Sequence, residues 1–184
     1  MRNQEQNKMA AVMATLFLAA AEALAQDQQQ NAATEESEEP TRRIIVSIAD
    51  RKLAVIENGR VVKVYPTAVG ADATPSPVGV FKIANRVKDP TWYGPKGQIV
   101  PAGRANPLGD RWMGLSRKGY GIHGTNNQRS IGHNVSHGCI RMRKADVEEL
   151  FELVRVGDVV EMVAEPTEAL AGIFSAGQLL ASAE

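Results

Sequence analysis

The chain has 184 residues, of which 43% are hydrophobic, so its length and composition suit one folded domain with some accessory sequence. Lysine plus arginine and aspartate plus glutamate both number 21, and this neutral balance gives no reason to expect a nucleic-acid partner. The single cysteine excludes an intramolecular disulfide and is therefore a structural, linking or reactive thiol.

Two segments precede the predicted domain. Residues 1–25 have a short basic start, an uncharged apolar run from Met9 to Ala21 and a small-residue pattern ending at Ala25, which is typical of a cleaved export signal. An uncleaved membrane anchor is the alternative, although a span needs about 20 apolar residues. Residues 26–41 are polar and acidic and predict a flexible linker. We therefore expect an exported protein, located in the periplasm or the cell wall.

The predicted catalytic domain, residues 42–164, begins with strand patterns. Apolar residues alternate over residues 44–49, which predicts a half-buried strand. Asn58-Gly59 lies between two apolar runs and is a strong hairpin signal, because both residues tolerate positive φ. Three antiparallel strands are therefore expected between Arg43 and Tyr65.

A fourth strand and a long loop follow. Residues Val78 to Val87 predict a strand, and residues Lys88 to Gly109 contain four prolines and several glycines that make a regular element improbable. Loops of this length in compact domains are usually functional, so Trp92 and Tyr93 are candidates to line a cleft or to cover the core. The predicted core residues of the strand are Val80, Phe81 and Ile83.

In the second half of the domain, the spacing of the apolar residues predicts short strands and one helix. Short strands at residues 111–115 and 119–122 lead to His123, and Val159–Val163 predicts a closing strand. Residues 165–184 predict a C-terminal tail or a marginal helix. One helix is predicted after the cysteine, with a possible cap at Gly157, from the apolar spacing of Val147, Leu150, Phe151 and Val154.

The residues that can carry nucleophilic chemistry cluster around Cys139. A free thiol in an oxidising compartment risks mispairing, so its retention favours a nucleophile over a structural cysteine. An imidazole can take the thiol proton, and His123 is the better base because it lies on a separate predicted segment. His137 is two residues away, and His133 is interpreted as a surface residue in a turn. The amides of Gly138 and Cys139 are expected to be unpaired and to stabilise an oxyanion.

A zinc site is the alternative use of the same residues. His123, His133, His137 and Cys139 could supply four ligands, but no CxxC or HExxH spacing supports a metal. We therefore expect neither a metal nor another cofactor.

Two motifs together resemble a known family. Residues 122–126 read Ile-His-Gly-Thr-Asn, and residues 136–142 read Ser-His-Gly-Cys-Ile-Arg-Met, with twelve residues between His123 and Ser136. This pair resembles the L,D-transpeptidases of the YkuD type. The segment Thr74 to Phe81 is similar too, and the likeness extends over about residues 42–163.

The resemblance implies a fold and a set of roles. The fold would be mainly β (α+β), with two sheets forming a cradle and one short helix after the catalytic cysteine. Cys139 would be the nucleophile and His123 the base, oriented by the carbonyl of Gly124. The expected supporting and oxyanion residues are Ser136, His137 and Gly138, and the expected substrate contacts are Arg141 and Tyr120. His133 and its neighbour stand where relatives often have Arg-Pro.

The resemblance also implies a reaction. The Cys139 thiolate would attack the bond between diaminopimelate and D-Ala in a peptidoglycan stem peptide, release D-Ala and form a thioester. An amine of a second stem peptide, or a lysine of an envelope protein, would then accept the acyl group. The alternatives are a carboxypeptidase or amidase that uses water, and a zinc-bound wall-binding module. Family members are acylated by carbapenems.

Overall fold

A computed structural model describes residues 42–181 of the chain. The predicted export signal, residues 1–25, and the predicted linker, residues 26–41, lie outside the described residues. Within the described part, no helix has the length and the apolar character needed to cross a membrane.

Residues 42–181 form twelve strands, two α-helices and two short 3-10 turns. The first six strands are β1 (Arg42–Ser47), β2 (Lys52–Glu57), β3 (Arg60–Pro66), β4 (Val69–Gly70), β5 (Gly79–Lys88) and β6 (Trp92–Tyr93). The others are β7 (Ile99–Val100), β8 (Arg111–Leu115), β9 (Gly121–His123), β10 (Asn134–Ser136), β11 (Ile140–Arg141) and β12 (Val159–Val163). The helices are α1 (Lys144–Leu153) and α2 (Glu168–Ala181), and the 3-10 turns are Pro95–Gly97 and Gln128–Ser130.

Eight strands form one curled sheet in the order β11-β9-β8-β5-β12-β1-β2-β3. The long strand β5 is shared: residues 79–82 pair with β12, and residues 83–88 pair with β8. The register shifts between Ile83 and Asn85, and such an irregularity bends a strand. The two halves of the sheet thus form the predicted cradle, and the mainly β fold with a short helix after the cysteine is confirmed.

The predicted hairpin is present at the start of the domain. Strands β1, β2 and β3 are antiparallel neighbours, and Asn58 and Gly59 turn between β2 and β3 with φ of 49° and 77°. Both faces of β1 are buried, because Ile44 points into the main core while Ile45 packs under α2 with Leu170. The C-terminal segment predicted as a tail or marginal helix is therefore a helix that covers one sheet face.

Three local expectations were wrong. Val80 is 69% exposed, because strand alternation places Phe81 and Ile83 on the core side and Val80 on the opposite side. The long loop contains regular structure after all, since β6 and β7 pair as a small antiparallel hairpin. Helix α1 ends at Leu153 and is followed by Val154 as its C-cap, so Gly157 lies in the next turn rather than at the cap.

The edge of the sheet positions the site. Strands β9 and β11 are parallel, with Ile122 opposite Ile140 and His123 opposite Arg141. Helix α1 begins just after β11 and buries the predicted apolar face against the main core. The two sequence motifs therefore meet as neighbouring strands.

Candidate active site

Cys139 immediately precedes β11 and is level with Gly121 on β9. Its thiol is free and half-buried, and Sγ lies 3.6 Å from the carbonyl oxygen of Gly119. Burial raises the pKa of the Cys139 thiol, and the positive charge of Arg141 opposes this rise. The thiol is thus protonated at neutral pH and needs a base before it can attack.

His123 is the buried imidazole of the site, only 4% exposed. Its Nδ1 lies 2.6 Å from the carbonyl oxygen of Gly124. Because a carbonyl can only accept a hydrogen bond, we assign the ring proton to Nδ1, which leaves Nε2 free to accept a proton. The predicted contact between Gly124 and the imidazole is therefore present.

Burial lowers the pKa of His123 to about 4, and the charge of Arg141 adds to this lowering, while a hydrogen bond to the Gly124 carbonyl works against it. At neutral pH the site therefore holds a neutral imidazole and a neutral thiol. Such a pair can act when proton transfer to His123 accompanies attack by Cys139.

Trp112 supports His123, although the sequence patterns did not single it out. The two residues are cross-strand partners on β8 and β9, and their rings stack with centroids 5.6 Å apart and planes at 27°. Trp112 Nε1 donates to Asn85 Oδ1 at 3.1 Å. A Cβ on Gly121 would lie 2.6 Å from the indole, so this glycine leaves room for the ring.

Ser136 closes the turn that carries the cysteine. Its Oγ donates to the carbonyl of Cys139 at 2.6 Å and accepts from the amide of Gly138 at 3.0 Å. The expectation that both amides are unpaired is therefore wrong for Gly138. The Cys139 amide has no hydrogen-bond partner within residues 42–181, so it is the better candidate donor to an oxyanion.

Gly138 packs closely against the ring of Tyr120. Gly138 has φ of 104°, and a Cβ there would lie 2.6 Å from Tyr120 Cε1. The Tyr120 ring is half-buried, and the guanidinium of Arg117 lies 5.1 Å from its centroid. Tyr120 thus packs against the turn that carries Cys139, and its predicted contact with substrate stays a prediction.

The two other histidines do not join the site as ligands. His133 and His137 are both exposed, whereas His123 is buried. Within the described part of the chain, no three His, Cys, Asp or Glu side chains are grouped so that they could hold a metal ion. The zinc-site alternative therefore has no support in this geometry.

Arg141 is half-buried beside Cys139 and His123, and its charge lowers the pKa of both. Its buried Nε has no hydrogen-bond partner, and none of the described carboxylates forms an ion pair with it. A guanidinium without an ion-pair partner is suited to a carboxylate, and the expected contact of Arg141 with substrate stays a prediction.

Cys139 opens into a cleft of about 700 Å³. Trp92 and Tyr93 line it, which agrees with one of the two roles expected for them. The remaining lining residues are Asn85, Val87, Asp89, Pro90, Thr91, Leu108, Trp112 and Gly119.

Asn106 organises the loop that forms one wall of this cleft and was not predicted. The side chain is fully buried, and its Nδ2 lies 2.7 Å from the carbonyl of Pro90, 3.1 Å from that of Val100 and 3.2 Å from that of Pro101. Its Oδ1 accepts from the amide of Leu108 at 2.8 Å. The backbone of Leu108 in turn lies beside His123 and raises its pKa. Asn106 thus links the cleft wall to the base.

Comparison with known proteins agrees with this geometry. The family model of the YkuD L,D-transpeptidase catalytic domain matches residues 41–162. The chain belongs to this family. A putative L,D-transpeptidase YkuD from Bacillus licheniformis is 44% identical over 120 residues, which cover 65% of this chain and 64% of the relative. The chain spans about three fifths of the length of such curated relatives.

Solved structures share the fold. A mutant of the Enterococcus faecium L,D-transpeptidase is 27% identical, with a TM-score of 0.58, over 67% of this chain and 50% of that one. The Ldtfm–avibactam carbamoyl enzyme is also 27% identical, with a TM-score of 0.59, over 68% of this chain and 50% of that one. The predicted family is therefore confirmed, while the catalytic role of each residue stays a prediction.

Proposed function

We propose that this protein is a peptidoglycan L,D-transpeptidase that acts outside the cytoplasmic membrane. The observation that carries the proposal is the parallel pairing of β11, which Cys139 immediately precedes, with β9, which ends at His123, while Cys139 opens into the cleft. The carbonyl of Gly124 orients the imidazole so that Nε2 is the basic nitrogen. Family membership supports the same chemistry.

The first half of the reaction forms a thioester. His123 Nε2 takes the proton of Cys139, and Sγ attacks the carbonyl carbon between diaminopimelate and D-Ala. The amide of Cys139 stabilises the oxyanion, and Ser136 holds the turn in place through the Cys139 carbonyl. The carbon–nitrogen bond then breaks, and the proton on His123 passes to the nitrogen of the departing D-Ala.

The second half transfers the acyl group. An amine enters the cleft, gives a proton to the neutral imidazole of His123 and attacks the thioester carbon. Cys139 leaves as a thiolate and recovers the proton from His123. The amine belongs to a second stem peptide or to a lysine of an envelope protein, and hydrolysis replaces transfer when water attacks instead.

The supporting residues are assigned by their contacts. Arg141 has a positive charge that acts on the thiol and forms no ion pair with a described carboxylate, and it binds a carboxylate of the stem peptide. Tyr120 and Gly138 keep the cysteine turn in shape through their close packing. His137 is exposed within this turn, where it can contact the peptide that enters.

Product analysis tests the reaction type. Purified protein is incubated with a stem tetrapeptide that ends in D-Ala, and the products are separated by chromatography and identified by mass. A crosslinked dimer with free D-Ala supports transpeptidation, and free tripeptide without dimer identifies the hydrolase. Neither product from the wild type would contradict both.

Inhibition provides a second line of support. The Ldtfm relative forms a carbamoyl enzyme with avibactam, and we infer that Cys139 reacts in the same way. Intact-mass spectrometry should show one covalent adduct on the wild type and none on Cys139→Ala. Export is tested separately, by fractionating cells that produce the full chain with a C-terminal tag.

A further inference from the structure

Among the described residues, the exposed Asp89 is the one charged side chain that lines the cleft above Cys139, and it also lines a neighbouring pocket with Arg104 and Lys144. The other side chains that line the cleft include the amide of Asn85 and the rings of Trp92 and Trp112. A carboxylate in such surroundings favours a ligand that carries a positive charge.

The backbone holds Asp89 firmly in this place. Its amide donates to the carbonyl of Asp110 at 2.9 Å, directly after the end of β5. The next residue, Pro90, is buried, and its carbonyl accepts from Asn106 at 2.7 Å. Asp89 itself has φ of 50°, a left-handed conformation that aspartate tolerates better than most residues. Non-glycine residues in this region are often found where function requires them.

The carboxylate of Asp89 has no partner of its own within residues 42–181. No hydrogen bond or ion pair engages it, and the neighbouring cation Lys88 is paired with Glu152 at 3.1 Å. The backbone carbonyl of Asp110 accepts the hydrogen bond from the Asp89 amide, while the carboxylate of Asp110 binds Lys144. The negative charge of Asp89 is therefore available to a molecule in the cleft.

We propose that Asp89 binds the side-chain ammonium of the third residue of the donor stem peptide. This inference rests on the proposed function, which places the carbonyl of that third residue at Cys139. The side chain of the same residue then extends within the same cleft toward its walls. The acceptor amine is excluded as the partner, because a carboxylate would keep it protonated and prevent its attack on the thioester.

The test compares two donor tetrapeptides that differ only at the third side chain, whose terminal amine is either free or acetylated. The measured quantity is the second-order rate of thioester formation on Cys139, followed by intact-mass spectrometry. The wild type should prefer the free amine by about fivefold, as expected for one exposed ion pair. Asp89→Asn should remove this preference by slowing the reaction with the free amine.

Asp72→Asn is the matched control, because Asp72 is exposed and does not line the cleft. This control should keep the wild-type preference. Equal rates for both peptides with the wild type, or an unchanged preference in Asp89→Asn, would overturn the inference while leaving the proposed function intact. No thioester with either peptide would instead overturn the proposed function.

Ionic strength supplies a measurement that needs no variant. An exposed ion pair is screened by salt, so the wild-type preference should fall toward unity between about 0.05 M and about 0.5 M salt. A preference that does not change with salt would show that Asp89 does not carry it through charge.

Discussion

The indole of Trp112 lies over the imidazole of His123, with ring centroids 5.6 Å apart and planes at 27°. This contact keeps water from one face of the ring and contributes to the burial that lowers the pKa of His123 to about 4. Trp112→Ala should therefore raise the pKa of His123 toward its ordinary value, as measured by NMR of the imidazole protons. Thioester formation should slow by about 100-fold because the base loses its position.

Trp112→Phe is the matched variant, because it keeps an aromatic ring at this position but loses the 3.1 Å hydrogen bond to Asn85 and part of the indole that packs over Gly121. The rate of thioester formation and the pKa of His123 should change less in Trp112→Phe than in Trp112→Ala. An unchanged pKa in Trp112→Ala would show that the stacking does not control the imidazole.

Arg141 should act on both reacting groups through its charge. It lowers the pKa of His123 by disfavouring the imidazolium and lowers that of Cys139 by favouring the thiolate. Arg141→Gln should therefore raise both pKa values. The pH dependence of alkylation by iodoacetamide reports the thiol, and NMR reports the imidazole.

Arg143→Gln is the control for this effect, since Arg143 is exposed and its charge affects the pKa of Asp146 rather than those of His123 and Cys139. Neither pKa should move in that variant. A rise of only one pKa in Arg141→Gln would mean that the charge of the guanidinium does not act on both groups.

Burial of a neutral His123 should make the protein less stable in acid. The ordinary pKa of 6.5 is lowered to about 4, so the unfolded chain binds a proton between these values and the folded protein does not. Stability is then full above pH 6.5 and falls by about 3 kcal/mol as the pH decreases to 4. Urea unfolding at a series of pH values measures this loss.

His123→Gln should flatten the pH dependence in this window, whatever its stability at pH 7. Other titrating groups are common to both proteins, so the difference between the two curves isolates His123. Parallel curves would contradict a buried neutral imidazole.

Asn106 should be a stability and positioning residue. Asn106→Asp keeps the shape of the side chain but replaces the group that donates to the Pro90, Val100 and Pro101 carbonyls with an acceptor. The loss should cost about 3 kcal/mol of the free energy of unfolding. It should also lower the rate of thioester formation, because the Leu108 carbonyl next to His123 depends on the same side chain.

Asn126→Asp serves as the control for Asn106, since Asn126 is exposed and makes one 2.9 Å hydrogen bond to Ala105. It should unfold at nearly the wild-type urea concentration. Equal destabilisation of the two variants would rule out a special role for Asn106.

Local signals in the sequence predicted the parts of the fold that depend on neighbouring residues. Asn58-Gly59 turns as expected because positive φ is a property of the residues themselves. The apolar period after the cysteine predicted α1 for the same reason. The two motifs also predicted that His123 and Cys139 belong to one site.

The parts of the site that the sequence did not predict depend on tertiary contacts that local patterns do not report. Trp112 reaches His123 because β8 lies beside β9, and no local pattern reports that neighbour. Asn106 is buried because the loop folds back over it, although asparagine is usually a surface residue. The Oγ of Ser136 accepts a hydrogen bond from the Gly138 amide because of a turn geometry that the motif alone does not define.

In the proposed reaction, Cys139 becomes acylated by a stem peptide with His123 as base. Intact-mass spectrometry of the wild type mixed with a donor tetrapeptide measures this directly. We expect a mass increase equal to the tripeptide acyl group, release of D-Ala, no adduct on Cys139→Ala and a much slower formation of the adduct on His123→Gln. An adduct that persists in Cys139→Ala, or a wild type that stays unmodified while folded, would contradict it.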